Sequence, residues 1–557
     1  MLPDAFSIID SQIKQHENEI IALKTQRNAC APISRLPPEL FTRIFEWYKK
    51  VAESTEESQL EHHIPLIWIQ CSHVCHLWRT IALNSSTLWA DLDLKYNYLT
   101  WAKEALVRSK MAALKVSIHL NGTHDERSTI QLAKNIMCQG PRLKGLTIGG
   151  AFSARSGLEE ILRSLPKSTP NLQSLEIAHV QTGIENIYLP SECISEAEKL
   201  QHVKITGCGI NWVQHISNKS TLTVLKLTDV TSTRDVSMPQ FLQCLAGMPS
   251  IQILELKNAF PTLVPHHSGA QSQRVPLPKL QELRLSECPA DILGFIFKHV
   301  SLNAGVFMDI HSQGTDESVF TIFLEEMSSV LSLNQAHLAM HTLKIATAKS
   351  RQLSMAGFSH HNPELDRETI GLSRERDISP MFVLKLTIFS ASSSPRDALW
   401  INACAILPFT WVRTVYWSCL PTISAETINS CFGTLQNLNC MLFRCTYPDF
   451  YKMLRATLPS PEGTCPKSVF PELRMITLND FVLYGEHLSN LIDLLIQRYE
   501  GGSEVQRLVL LNCLGVDDEE IDLLREVVVD VFWDGTVRKL DGNQVDMDDY
   551  YYYNWFY

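Results

Sequence analysis

Between residues 143 and 285 one six-residue frame, Leu-x-x-Leu-x-Leu with aliphatic exchanges, occurs six times. The copies occupy 143–148, 172–177, 200–205, 222–227, 251–256 and 280–285, so their starts lie 29, 28, 22, 29 and 29 residues apart. A period of that size marks an array in which each copy is one supersecondary unit. The last two aliphatics of the frame are two residues apart, the spacing of a strand with one buried face. Segments between frames, such as 157–165 and 488–496, carry apolar residues at helical spacing instead. No single strand–helix unit can bury its own apolar face, so the copies must stack into a shared core. Weaker frames follow at 340–345, 381–386, 412–417, 435–440, 473–478 and 505–510. Pro141, Pro170, Pro249, Pro278 and Pro471 each stand two residues before a frame, where proline ends the preceding helix and favours an extended entry. The intervals 285–340 and 345–381 are too long for single copies and call for degenerate repeats or insertions, with 359–376 the candidate exposed insertion.

Alternation sends the residue between the last two aliphatics of each frame to the opposite face. In chain order these residues are Thr147, Glu176, Lys204, Lys226, Glu255, Arg284, Lys344, Lys385, Tyr416, Asn439, Thr477 and Val509. From 204 to 385 the row is five basic residues to one acidic, in a chain whose 49 Lys+Arg and 60 Asp+Glu leave a net charge of −11. That local reversal marks Lys204, Lys226, Arg284, Lys344 and Lys385, with Tyr416 opening a more apolar stretch, as a candidate surface for an acidic or phosphorylated partner protein. A row of charges that is merely solvated is the commoner case and the preferred one here. Cys208, Cys288 and Cys513 each follow a frame's last aliphatic by three residues, a turn position that predicts a structural part and no redox or metal chemistry.

Ahead of the array, residues 6–27 contain neither Gly nor Pro. Phe6, Ile9, Ile13, His16, Ile20 and Leu23 follow alternating three- and four-residue steps, with Lys14, Glu17, Glu19 and Lys24 between them, which predicts an amphipathic helix. The seam is only about three heptads long and includes His16, so docking on its own protein or on a partner is preferred over a dimeric coil. Next comes Ile33-Ser-Arg-Leu-Pro-Pro-Glu-Leu-Phe-Thr-Arg-Ile-Phe-Glu-Trp-Tyr48. Prolines suit a first helical turn, whose N–H groups lack intrahelical acceptors, and Ser34 is the candidate cap. Leu36, Leu40, Ile44 and Phe45 fall on one stripe with Phe41 and Trp47 beside it. The charged stretch 49–59 reads as a loop. Val74, Leu77, Trp78, Ile81 and Ala82 then return to helical spacing, and Leu88-Trp89 forms an aromatic anchor.

These residues resemble the F-box, a short three-helix module. The resemblance rests on the Leu36-Pro37-Pro38-Glu39-Leu40 start, Ile44-Phe45, Val74-Cys75, Trp78-Arg79, Ile81-Ala82-Leu83 and Leu88-Trp89. The form is most similar to fungal F-box-like proteins, in which an amphipathic helix precedes the box, and it departs from the pattern by an acidic insert at about 49–63. The array behind it resembles the irregular leucine-rich-repeat domains that follow F-boxes. The resemblance implies an α/β leucine-rich-repeat solenoid, a curved parallel sheet with helices on its convex side, preceded by a small all-α F-box and an N-terminal helix. The expected divisions are 1–30 for the helix, 31–95 for the box, 96–540 for the solenoid and 541–557 for a tail. It also implies a Skp-type adaptor, and through it a cullin, bound helix against helix by Leu36, Pro37, Pro38, Leu40, Ile44, Phe45, Val74, Trp78, Leu88 and Trp89. The function expected is the non-catalytic substrate-recognition subunit of an SCF-type cullin–RING ubiquitin ligase, with the repeats holding a substrate protein. A repeat scaffold outside ubiquitin transfer is the alternative, and a hydrolase in an unusual α/β domain the third reading.

Composition narrows the rest. With 45% hydrophobic and 20% charged residues the chain can bury a core, which excludes whole-chain disorder. The acidic balance argues against nonspecific nucleic-acid or anionic-membrane binding. No apolar run approaches the roughly 18 residues of a spanning helix, and the first twenty residues hold no apolar signal core, so a cytoplasmic or nuclear protein is expected. The 15 cysteines are odd in number and include no Cys-x-x-Cys pair, which fits neither a disulfide scaffold nor the usual zinc spacing. Phosphate-loop, dinucleotide, zinc-protease and nucleophile-elbow motifs are missing, and the pairs His62-His63, His266-His267 and His360-His361 are poor metal sites because adjacent side chains diverge. No catalytic residue, cofactor or metal is expected. The tail 541–557 joins acids to seven aromatics and is expected to pack over the last repeat.

Overall fold

In the computed structural model the frames become strands, and their aliphatics are the core. The structure describes residues 2–54, 67–94, 99–120, 126–150, 155–179, 187–190, 194, 196–230, 236–261, 274–303, 305–314, 317–333, 340–346, 352–359, 382–390, 396–418, 423–444, 447, 449–458 and 468–537. The paired histidines, the tail and nearly all of the 359–376 stretch lie outside the described residues. Two compact units divide the chain: residues 1–225 with 229–235, and residues 226–228 with 236–557.

The first unit begins with three helices, α1 (Leu2–Ala29), α2 (Pro38–Ser54) and α3 (His76–Asn84). α2 runs six residues into the stretch expected as a loop. The reason is Lys49, whose ammonium is drawn inward to Asp91 Oδ2 at 2.6 Å and the Leu88 carbonyl at 3.3 Å. Ser34 does not cap α2; its hydroxyl donates back to the Asn28 carbonyl at 2.7 Å, and the α2 start relies on its prolines. The sheet begins well before residue 143. β1 (Asp91–Leu94), β2 (Leu114–Leu120), β3 (Leu143–Gly150) and β4 (Ser174–His179) pair in parallel in that order, and β4 pairs β6 (His202–Thr206). A separate two-stranded piece joins β5 (Ile187–Tyr188) to β7 (Cys208–Gly209). Helices Leu99–Arg108, Arg127–Met137 and Arg155–Arg163 fall between successive strands, as parallel neighbours require.

β8 (Val224–Thr228) lies where the units divide. In the second unit β9 (Ile253–Lys257) pairs β11 (Glu282–Pro289), which pairs β13 (Phe307–Gly314). β10 (Val275–Leu277) and β12 (Val300–Leu302) form a side pair. The order then inverts. β13 pairs in parallel with β16 (Phe382–Ser390), not with β14 (Thr342–Ala346). β15 (Gln352–Phe358) lies antiparallel between β14 and β16, and β14 pairs in parallel with β17 (Thr414–Ser418). The regular order resumes through β18 (Cys440–Arg444), β19 (Met475–Asn479), β20 (Arg507–Leu511) and β21 (Asp530–Trp533).

Both long gaps are thus explained. The first holds a degenerate repeat, β13 followed by helix Glu317–Leu333, and the second holds the antiparallel strand β15. Gly357 permits that insertion, because a Cβ there would collide with the Met340 sulfur. Among the described strands the sheet pairings are therefore parallel except those of β15, and the expected α/β class of stacked strand–helix repeats is the one found.

A backbone signature recurs at the strand ends. Two residues after the last aliphatic, Gly207, Asp229, Asn258, Glu287, Asp480 and Asn512 all have positive φ, between 47° and 69°. Gly, Asn and Asp dominate these positions because they tolerate the left-handed region best. The next residue is Cys208, Cys288 or Cys513 in three of the copies, each fully buried. Burial pushes the Cys208 and Cys513 thiols up to about 12 and Cys288 well above its ordinary value. These cysteines fill turns, as their position in the frame predicts.

Candidate docking surfaces

α2 presents two faces. Phe41 and Phe45 are fully buried and meet Trp78 of α3 with ring centroids 5.5 and 5.3 Å apart. Their sequence neighbours Leu40 and Ile44 are each 41% exposed, Trp47 is 66% exposed, and Val51 continues the line. Four-residue and three-residue steps place Leu40, Ile44, Trp47 and Val51 on one stripe. Pro37 leads into it, and Ile33, Val74 and Leu77 add exposed apolar surface within the same module.

Of the ten residues expected to contact an adaptor, Pro37, Pro38, Leu40, Ile44 and Val74 are exposed and Leu36 and Trp78 are half-buried. Phe45, Leu88 and Trp89 are not surface residues: all three are buried in the module's own core. Trp89 lies against Trp101 at 4.8 Å with the rings tilted by 33° and meets Trp68 edge-on at 5.2 Å, while its indole donates to the Ala82 carbonyl at 2.9 Å. Arg108 covers the same indole at 5.0 Å. Trp47, expected beside the stripe, lies on it, and Leu77 joins the exposed set although it is not among the ten. The helical spacing of Leu40, Ile44 and Trp47 already held that signal.

The second candidate surface is the strand face opposite the core aliphatics. In the first unit its central row reads Asp93, Ser117, Thr147, Glu176 and Lys204 in adjacent register. Lys204 meets Glu176 at 2.5 Å. In the second unit the row runs Glu255, Arg284, Asp309, Lys385, Ala356, Lys344, Tyr416, Leu442, Thr477, Val509 and Phe532. Asn439 is off this row; the strand starts one residue later and Leu442 takes the place.

Carboxylates separate the basic residues. Lys226 reaches Glu255 at 2.8 Å, Arg284 reaches Glu282 at 3.2 Å, and Lys385 lies 4.0 Å from Asp309. Asp309, on the strand that no frame revealed, stands between Arg284 and Lys385. Burial pushes its carboxyl up, but the 2.9 Å hydrogen bond from His311 and the charges of Lys385 and Arg284 outweigh burial and hold it below its ordinary value. Lys344 lies over the Tyr416 ring at 5.2 Å. Tyr416, Leu442, Thr477 and Val509 are buried, so the row changes from alternating charge to apolar at β17. Among the described residues no group of three or more His, Cys, Asp or Glu could hold a metal ion, and no helix is long and apolar enough to cross a membrane.

Comparison with known proteins gives one assignment. The F-box-like family matches residues 33–95, the segment that contains α2, α3 and β1. No curated protein matches the chain. Among solved structures, a TLR13–ssRNA13 complex overlaps 76% of this chain at 11% identity with a TM-score of 0.29, and this chain spans only 55% of its length. The yeast Rad7–Elc1 complex overlaps 84% of this chain and 92% of its own at 12% identity with a TM-score of 0.20. Both overlaps are too loose to carry a site or a function across. Residues 33–95 form an F-box-like domain.

Proposed function

We propose that this chain is the non-catalytic substrate receptor of an SCF-type cullin–RING ubiquitin ligase, acting in the cytoplasm or nucleus. The F-box-like domain would seat Pro37, Leu40, Ile44, Trp47, Val74 and Leu77 in grooves of a Skp-type adaptor, and the strand face of the repeats would hold a substrate protein. The observation that carries this reading is the division of α2: one face fills the domain's own core with Phe41 and Phe45, and the other offers exposed apolar side chains at helical spacing. An exposed stripe of that kind suits a helix-in-groove partner. The receptor's contribution is proximity. Holding a substrate lysine beside a charged ubiquitin carrier makes transfer effectively intramolecular, worth on the order of 7–11 kcal/mol in favourable cases with no catalytic residue in the receptor.

On the strand face, Lys385 and Lys344 flank the small Ala356. Two lysines about 10 Å apart across three strands suit one acidic or phosphorylated side chain of a substrate. A scaffold outside ubiquitin transfer would use the same two surfaces without recruiting a cullin.

The test is capture of a purified Skp-type adaptor by the full chain and by the Leu40→Asp, Ile44→Asp double variant. Each apolar anchor lost from a buried helix-in-groove contact costs about 2 kcal/mol, so the double variant should lose capture about a thousandfold while its far-UV circular dichroism stays unchanged. Equal capture by both proteins refutes the docking assignment. Adaptor capture without cullin recruitment leaves the scaffold reading in place of the ligase one.

A further inference from the structure

Every described side chain of α1 from Phe6 to Arg27 is exposed, including Phe6, Ile9, Ile13, Ile20 and Leu23, each at least half exposed. The helix expected to dock on its own protein or on a partner does not dock on its own protein among the described residues. We propose that the occupant of this seam is a second copy of the same helix, aligned parallel and in register, so that two chains join as a coiled coil.

The seam itself argues for that partner. Placing Phe6, Ile13 and Ile20 at the first core position of each heptad puts Ile9, His16 and Leu23 at the second. Only the last heptad, Ile20 with Leu23, carries the β-branched first position and leucine second position that favour two parallel strands, so the choice of partner rests on the flanking charges. Those charges are complementary. In a parallel pair the flank residue Glu19 of one helix faces Lys24 of the other, twice by symmetry, and Gln12 faces Glu17. The antiparallel alignment that stacks Phe6 on Leu23 instead sets Asp10 against Glu17, like charges repeated twice. His16, already 3.2 Å from Glu19 within its own helix, would lie at the centre of the seam. A polar core residue fixes register there and lowers affinity. The seam from Phe6 to Leu23 spans about 26 Å, so the dimer is weak and depends on concentration.

One more residue makes the alignment testable. Cys30 is exposed, and continuing the heptad count places it at a core position just beyond the α1 C-terminus. Parallel helices bring the two Cys30 residues within disulfide reach, whereas antiparallel helices hold them a helix length apart.

The experiment is light scattering on the full chain across roughly 1–100 μM, the range in which a short seam titrates. The mass should rise from 63.1 kDa toward twice that value. Ile13→Asp with Ile20→Asp should hold it at one chain while adaptor capture is unchanged. Lys24→Glu should weaken the dimer at least tenfold, and adding Glu19→Lys should restore it by exchanging the two charges. Mild diamide oxidation should link the chains through Cys30, and Cys30→Ser should abolish the link. A chain that stays single at every concentration, a dimer indifferent to the two aspartates, or a Lys24→Glu defect that Glu19→Lys fails to rescue overturns the proposal.

Discussion

Phe45→Ala and Ile44→Ala remove neighbouring side chains from opposite faces of α2, and the structure assigns them very different costs. Phe45 has no exposed surface and packs on Phe41 and Trp78 at 6.0 and 5.3 Å. Truncating a buried phenylalanine costs about 3–5 kcal/mol, and its ring contacts place this site near the middle of that range. Ile44 keeps 41% of its surface in water, so its truncation forfeits a partial burial worth about 1 kcal/mol or less. The assay is amide hydrogen exchange in α2 and α3, with β19 as an internal reference because it belongs to the other compact unit. About 4 kcal/mol corresponds to roughly a thousandfold faster exchange if the domain opens as one unit. Phe45→Ala should approach that figure in both helices and leave β19 protected. Ile44→Ala should change exchange less than tenfold. Equal acceleration by the two variants would mean that Ile44 is interior, and the division of α2 into a core face and a docking face would be wrong.

Two further outcomes follow from the strand region. Asp309→Asn should cost about 1–2 kcal/mol at neutral pH through loss of the charge-assisted bond to His311, and it should flatten the acid limb of stability. The folded carboxyl is held below its ordinary value of 3.8, so the unfolded chain binds more protons and stability rises with pH. That contribution is complete above the ordinary value and disappears as pH falls through the lowered one; urea unfolding that shows identical acid limbs for the two proteins refutes the assignment. Thiol labelling of the native chain near pH 8 should modify the exposed Cys30 and Cys138 readily and spare Cys208 and Cys513 until denaturant is added. A thiol pushed up to about 12 is ionised there in roughly one molecule in ten thousand, and its sulfur is also buried. Mass spectrometry that finds Cys208 labelled as fast as Cys30 contradicts its place in the core.

The repeat array was legible because a frame such as Leu280-Gln-Glu-Leu-Arg-Leu285 encodes a face. Its two-residue alternation fixes which side chains go inward whatever the neighbouring strand is. The inward aliphatics of β3, β4, β6, β9 and β11 are all buried as that alternation requires. The left-handed turn two residues beyond the frame emerges only in the structure, at Gly207, Asp229, Asn258, Asp480 and Asn512, residue types that accept it. What alternation does not encode is adjacency. β13 keeps Met308 and Ile310 inward, but Phe307 and Asp309 obscure the frame, and nothing local to β14, β15 or β16 says that their order inverts. The F-box-like segment was legible in order and spacing and misread in depth. Phe45 and Ile44 are both apolar, and only the position of Trp78 decides which one faces inward; Leu88 and Trp89 likewise turn into a tryptophan cluster completed by Trp101, outside the motif.

That limit changes the electrostatics of the strand face. Read along the chain, Lys204, Lys226, Arg284, Lys344 and Lys385 form a basic run interrupted only by Glu255. Read across the sheet, Glu255, Arg284, Asp309 and Lys385 alternate in sign, and the inversion moves Lys344 three strands away from Asp309 to sit beside Tyr416. Adjacent opposite charges about 5 Å apart cancel most of their field within a Debye length. A broad anionic surface would therefore find little attraction over β9 to β13. In the β16–β15–β14 segment the uncharged Ala356 stands between Lys385 and Lys344, and Tyr416 lies beside Lys344 on the next strand. The inserted antiparallel strand thus brings Lys344 and Lys385, distant in the sequence, onto one short stretch of the face. Recognition there would select a single acidic group next to an apolar one. The decisive comparison is Lys344→Glu against Lys226→Glu, since a broad basic surface would lose substrate equally with either and a focused one loses it only with the first.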